Sequence, residues 1–186
     1  MSYLLAVDPG LDSPGAALFR NGELVAAADI VVSALGPGVS HGQRALAAAD
    51  AIVNWVVAQR ATVSVVAHEW PQIYAGSKSR ANPNNLIGMA AVDGAVDCAF
   101  AFIAAHRGEQ LELRTYLPAE WAGQLPKDTH KGKYWNSPRG VRIWSRLSDA
   151  ERAIAARVNH DAGDSIGIGL HALGRLGVRR ALSTGR

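Results

Sequence analysis

Apolar positions fall first into short runs of strand type and later into longer segments of helical period. Residues 3 to 8 (YLLAVD) are apolar up to an aspartate, after which Pro9-Gly10 forces a turn. Residues 15 to 20 (GAALFR) and 23 to 32 (ELVAAADIVV) read as two further strands, and the Asn21-Gly22 between them is a strong hairpin signal. A Gly/Pro/Ser loop over 33 to 42 leads into GQRALAAADAIVNWVVAQR, where Leu46, Ile52, Val53, Val56 and Val57 mark one helical face. The β-branched TVSVVAHE, ending at Glu69, predicts a fourth strand. Residues 70 to 84 form a loop by composition, and Asn84 or Asn85 caps a long helical segment running to about His106. LELRTY (111 to 116) is the fifth strand. A short helix over 118 to 125, a basic segment, a helix over about 140 to 156 and a final helix from near Asp161 complete the chain.

Three strands in a meander followed by alternating helix and strand predict an α/β fold. It is a mixed five-stranded sheet, a three-stranded antiparallel meander plus two parallel strands, with helices on both faces. Its 186 residues suit one domain, 1–186. The apolar runs are cut by charges or glycines short of the roughly 20 residues of a membrane span, and no signal pattern opens the chain. A soluble, cytoplasmic protein is expected. The single cysteine, Cys98, excludes disulfides and thiolate-rich zinc sites and is expected in the core. Positive charge is uneven: Lys127, Lys131, Lys133, Arg139, Arg142 and Arg146 face only Asp128 within residues 127 to 146, a net +5. Such a strip suits a polyanion.

Acidic residues mark the expected strand ends. Asp8 precedes Pro-Gly, and Glu69 precedes Trp70-Pro71, so each is the last position its ladder holds. Each is also explicable as a turn former or an exposed end. In HDAGDSIGIGLHAL, Asp161 and Asp164 share one face of the first helical turn, where one of them can serve as N-cap. Gly163, Gly167 and Gly169 each weaken that helix and predict a close backbone approach. Four hard oxygen donors of this type suit Mg²⁺ or Mn²⁺. Two such ions roughly 4 Å apart can activate water and stabilise the leaving oxygen of a phosphodiester.

LLAVDPGLDSPGAALF, VVAHEWPQIY and DAGDSIGIGLHAL together resemble the three acidic motifs of the RuvC-type Holliday junction resolvases, within the ribonuclease H-like superfamily. The resemblance covers nearly the whole chain. It implies Asp8, Glu69, Asp161 and Asp164 as catalytic metal ligands for two Mg²⁺ ions, with Mn²⁺ substituting. The activity implied is hydrolysis of DNA to 5'-phosphate and 3'-hydroxyl, by a homodimer that nicks four-way junctions symmetrically. The helix from Asn85 to His106 resembles the pairing helix, with burial in the monomer core as the other reading. Pro-x-x-Trp followed by Pro-Lys, in the segment from Thr115, looks more like the virus-encoded relatives, which places the chain in a bacterial cell or an infected bacterial host.

Lys127, Lys131 and Lys133 are point charges suited to phosphate, with Tyr134, Trp135 and Trp144 as stacking surfaces beside them. Lys78 and Arg80 are further phosphate contacts. The family's junction-probing aromatic position holds Gln72 here, and Trp70 or Tyr74 can substitute. His68 and His160 adjoin proposed ligands and read as incidental neighbours. A broader nuclease acting on flaps, forks or RNA-containing duplexes fits the same residues. A non-catalytic DNA-structure binder fits less well, since carboxylates beside phosphate cost it affinity.

Overall fold

The computed structural model of the chain describes residues 2–32, 35–36, 38–71, 83–123, 125–126, 130 and 133–176. Strands β1 (Tyr3–Asp8), β2 (Gly15–Arg20), β3 (Glu23–Asp29), β4 (Val63–Glu69) and β5 (Glu112–Tyr116) form one sheet in the order β3-β2-β1-β4-β5. The first three make the antiparallel meander, turned at Asn21-Gly22, where φ is 54° and 83°. Positive φ at both positions is what a two-residue hairpin turn requires. β4 and β5 continue the sheet in parallel beyond β1, each reached through a helix.

Alternation along the strands feeds two cores. Leu5, Val7, Leu18 and Val66 pack with α1 (His41–Ala58) and α2 (Pro83–His106) on one face. Leu4, Ala6, Phe19 and Ala67 pack on the other with α3 (Pro118–Trp121), α4 (Pro138–Trp144), α5 (Asp149–Ala155) and α6 (His160–Ala172). Val7 lies opposite His68 in the parallel β1/β4 pair. The next residue on each strand, Asp8 and Glu69, therefore sits at the same sheet end on the α6 face.

Some local expectations change. The buried face of α1 is made largely of alanine (Ala45, Ala48, Ala49, with Ile52 and Val56), while Leu46 and Val57 are exposed. Small side chains let the helix come close to its neighbours, so the larger residues are left outside. The helix predicted over 140 to 156 is two helices, because Ser148 and Glu151 form a capping box that starts a new one. Cys98 is exposed on α2 rather than in the core.

Helix α2 also departs from the membrane-span reading. Residues Asn84–His106 reach a mean hydropathy of 1.8 in a window only 28% buried, so by length and composition this helix qualifies as a span. Its polar side shows how it is used. Asp93 and Asp97, one turn apart, flank the buried imidazole of His68 on β4, with Nδ1 and Nε2 each 3.2 Å from a carboxylate oxygen. These pairs are not aligned as hydrogen bonds, so the attachment is ionic. His68 thus lies on the sheet face opposite Glu69, incidental to the acidic site as expected, and there it ties sheet to helix.

Burial lowers the His68 pKa, but the two carboxylates raise it by more, to about 9. Burial raises Asp93 to about 6 against the opposing pull of His68. Both groups bind protons more tightly in the folded chain, so each contributes stability that is lost as pH rises. For His68 the loss begins above its ordinary 6.5 and is complete beyond about 9. Denaturant unfolding should therefore show stability falling by a few kcal/mol from pH 6.5 to 9.5. His68→Asn should lose most of that slope. An unchanged slope in the variant would contradict the ionic tie.

Candidate active site

The first turns of α6 are drawn to the end of β1 by backbone contacts that tolerate little change. Gly15 faces Asp8 across the β1/β2 pair, and a Cβ at Gly15 would overlap the Asp161 carbonyl. The Asp8 amide donates to Ser165 Oγ at 3.0 Å. At the end of β3, Asp29 accepts from the Asn159 amide at 2.6 Å and the Ala162 amide at 3.0 Å. Asp29 is therefore the side chain that caps α6. This corrects the expectation that Asp161 or Asp164 does so, and leaves both without that structural duty.

Three of the carboxylates are held by donors of their own. Asp164 is buried, with Oδ1 accepting from the Tyr134 hydroxyl at 2.5 Å and Oδ2 from Arg139 Nη1 at 3.1 Å. Glu69 Oε2 accepts from Trp121 Nε1 at 2.7 Å. Asp161 Oδ2 accepts from Ser13 Oγ at 3.0 Å, and its Oδ1 lies 3.0 Å from His160 Nε2. Burial, then the charge and hydrogen bond of Asp164, raise the Tyr134 pKa well above its ordinary value, and Asp8 adds to the effect. Tyr134 is therefore a permanent donor, close enough to Asp8 to feel its charge.

Asp8, Glu69, Asp161 and Asp164 thus occupy one end of the sheet under the start of α6. Their oxygen-only chemistry suits a hard divalent ion. Among the described residues, however, no three His, Cys, Asp or Glu side chains are grouped to hold a metal ion. Glu69, Asp161 and Asp164 are each turned toward a protein donor, which keeps these like charges apart without an ion.

The donors come from the segment between β5 and α5. The ring of Tyr134 lies where a Cβ of Gly163 would be, and Trp121 lies against Gly167 in the same way. The α6 glycines thus admit aromatic rings rather than neighbouring backbone, and Gly169 admits Phe19. Tyr134 is consequently buried and presents no stacking surface, while Trp135 and Trp144 pack beside it half-buried. Arg139 and Arg142 also turn inward, Arg142 donating to the Trp121 carbonyl at 3.1 Å. The basic strip is correspondingly thinner than its +5 suggests. Lys133 and Trp70 are exposed, each one residue from a side chain of the site. Lys78, Arg80, Gln72, Tyr74, Lys127 and Lys131 lie outside the described residues.

By sequence, the chain matches no family model and no curated protein. By structure, it is similar to Thermus thermophilus RuvC in complex with a Holliday junction substrate, at 16% identity and a TM-score of 0.51, covering 95% of this chain and 97% of that one. A second T. thermophilus RuvC structure gives a TM-score of 0.53 at 16% identity, covering 92% and 94%. The fold is RuvC-like. The mixed sheet and its flanking helices are thus those of the ribonuclease H-like architecture. Within this RuvC-like fold, open α/β sheets place sites at the carboxyl ends of strands, where Asp8 and Glu69 lie.

Trp121, Ser13, Ser165 and Asp29 were not singled out by sequence pattern, and Tyr134 and Arg139 were assigned to stacking and to the basic strip rather than to Asp164. The α6 glycines were the available signal for Trp121 and Tyr134, because a glycine in a buried helix face requires something large opposite it. Alanine normally stabilises a helix over glycine by roughly 1 kcal/mol. Gly163→Ala should do the reverse and cost about 1 to 3 kcal/mol, because the Tyr134 ring has to move. Chemical denaturation measures the sign directly, and a stabilised variant would refute this packing.

Proposed function

We propose that the chain is a metal-dependent DNA endonuclease that resolves four-way junctions by paired symmetric nicks, leaving 5'-phosphate and 3'-hydroxyl ends. The observation that carries this is the gathering of Asp8, Glu69, Asp161 and Asp164 at one sheet end, with the capping of α6 assigned to Asp29. The motif resemblance and the RuvC-like fold support the same reading, and one of the similar structures is described with a Holliday junction substrate. The Pro-x-x-Trp of residues 118 to 121 followed by Pro-Lys at 126 to 127 resembles the virus-encoded relatives.

In this reading the four carboxylates hold two Mg²⁺ ions, with Mn²⁺ as substitute. Bound there, the ions supply activation of water and neutralisation of charge on the leaving oxygen. Trp121 orients Glu69, Tyr134 orients Asp164, and Ser13 orients Asp161. Lys133 contacts phosphate at the rim, joined by Lys127, Lys131, Lys78 and Arg80. Trp70 or Tyr74 enters the junction as the unstacking wedge. Helix α2 pairs two copies into a homodimer, and its exposed Ile87 and Phe102 support that role.

Cleavage of an immobile four-way junction, beside duplex, flap and fork substrates with Mg²⁺ or EDTA, tests the proposal. Symmetric nicks at the junction are expected with Mg²⁺ only. Comparable cutting of flaps and forks would replace resolvase with a broader structure-selective nuclease. Binding without any metal-dependent cutting would favour a non-catalytic DNA-structure binder. Asp8→Asn should abolish cleavage and leave junction binding intact or tighter, because it removes a ligand and a negative charge but little volume. Retained cleavage would defeat the mechanism. Lys133→Ala should reduce the salt slope of DNA binding by about one phosphate contact. An unchanged slope would place this lysine away from DNA.

A further inference from the structure

We infer that Arg139 is a resident counter-cation of the acidic site, and that its fixed charge weakens the binding of a divalent ion at Asp164. The inference rests on the metal-nuclease reading above and adds a residue that sets the metal affinity.

Arg139 belongs to the basic strip by sequence but not by position. Its side chain is only 16% exposed. Nε and Nη2 both donate to the Leu125 carbonyl, at 3.3 and 3.1 Å, and Nη1 donates to Asp164 Oδ2 at 3.1 Å. The guanidinium carbon lies 5.2 Å from the centre of the Trp121 ring, whose N–H holds Glu69. Four contacts on one planar group leave it little freedom. The residue is also fixed to Tyr134 through the chain, because Ser137 caps α4 and Gly140 packs on the Tyr134 carbonyl. One rigid turn therefore presents a neutral donor to one oxygen of Asp164 and a cation to the other.

A buried carboxylate is costly unless its charge is compensated. Arginine does this at every accessible pH, since it does not lose its proton in proteins. Compensation before metal arrives becomes repulsion once it does, because the anchored guanidinium remains beside the ion. A residue that merely braced Asp164 would have the opposite effect, since removing it would weaken metal binding. The sign of the change separates the two roles.

The test uses the full chain without DNA, titrated with Mn²⁺ alone by calorimetry and melted in EDTA and in saturating Mn²⁺. Arg139→Gln should bind Mn²⁺ on the order of tenfold tighter than wild type, melt lower in EDTA and gain more from Mn²⁺. Adding Asp164→Asn to that variant should remove the gain in affinity. Arg139→Lys, which keeps the charge but loses the paired contacts to Leu125, should bind within about twofold of wild type if charge sets the affinity. Affinity unchanged or weakened in Arg139→Gln would overturn the inference while leaving the nuclease reading intact. If that variant does not fold, weakened binding in Arg139→Lys would overturn it instead. A wild-type chain that takes up no Mn²⁺ would overturn both.

Discussion

Four carboxylates gathered at one sheet end repel one another, and much of the surrounding structure is arranged to hold them. Burial makes the repulsion worse, because charge is poorly screened away from water. Three of the acids are held by donors of their own: an indole for Glu69, a phenol and a guanidinium for Asp164, a serine hydroxyl for Asp161. The consequence is a site whose acids are ordered before any ion is present. In the proposed nuclease such order would lower the reorganisation that catalysis requires.

This arrangement makes the segment between β5 and α5 part of the site rather than an appendage. Trp121 and Tyr134 enter α6 over its glycines, so the packing of the second core and the orientation of Glu69 and Asp164 are one event. Disturbing the packing should therefore disturb the chemistry. The opposite face has its own polar tie, His68 between Asp93 and Asp97. Because His68 and Glu69 are adjacent on β4, the anchoring of α2 and the position of a site carboxylate share one strand end.

The five strands and the two-faced mixed sheet were legible because strand signals are local: alternating apolar runs, Asn-Gly at the hairpin and Pro after Asp8 and Glu69. The acids were legible for the same reason, each standing at a break in an apolar pattern. The donors were not, because their roles depend on contacts between residues distant in the chain. Asp29 lay inside the strand expected over 23 to 32, yet it ends β3 and caps a helix far along the sequence. Arg139 and Arg142 looked like part of a solvated basic strip, yet they turn inward. Charge counts along a sequence do not say which way a side chain faces. Alanine misled in the other direction, since Ala45, Ala48 and Ala49 outrank the larger Leu46 and Val57 for burial on α1.

The proposed metal centre at the four acids can be tested by a crystal structure of the chain with Mn²⁺. Anomalous density from manganese should appear at the ends of β1 and β4, with Asp8 and Asp164 among the ligands. Full occupancy of Asp164 by Tyr134 and Arg139 in saturating Mn²⁺, with no manganese at that end of the sheet, would contradict the account.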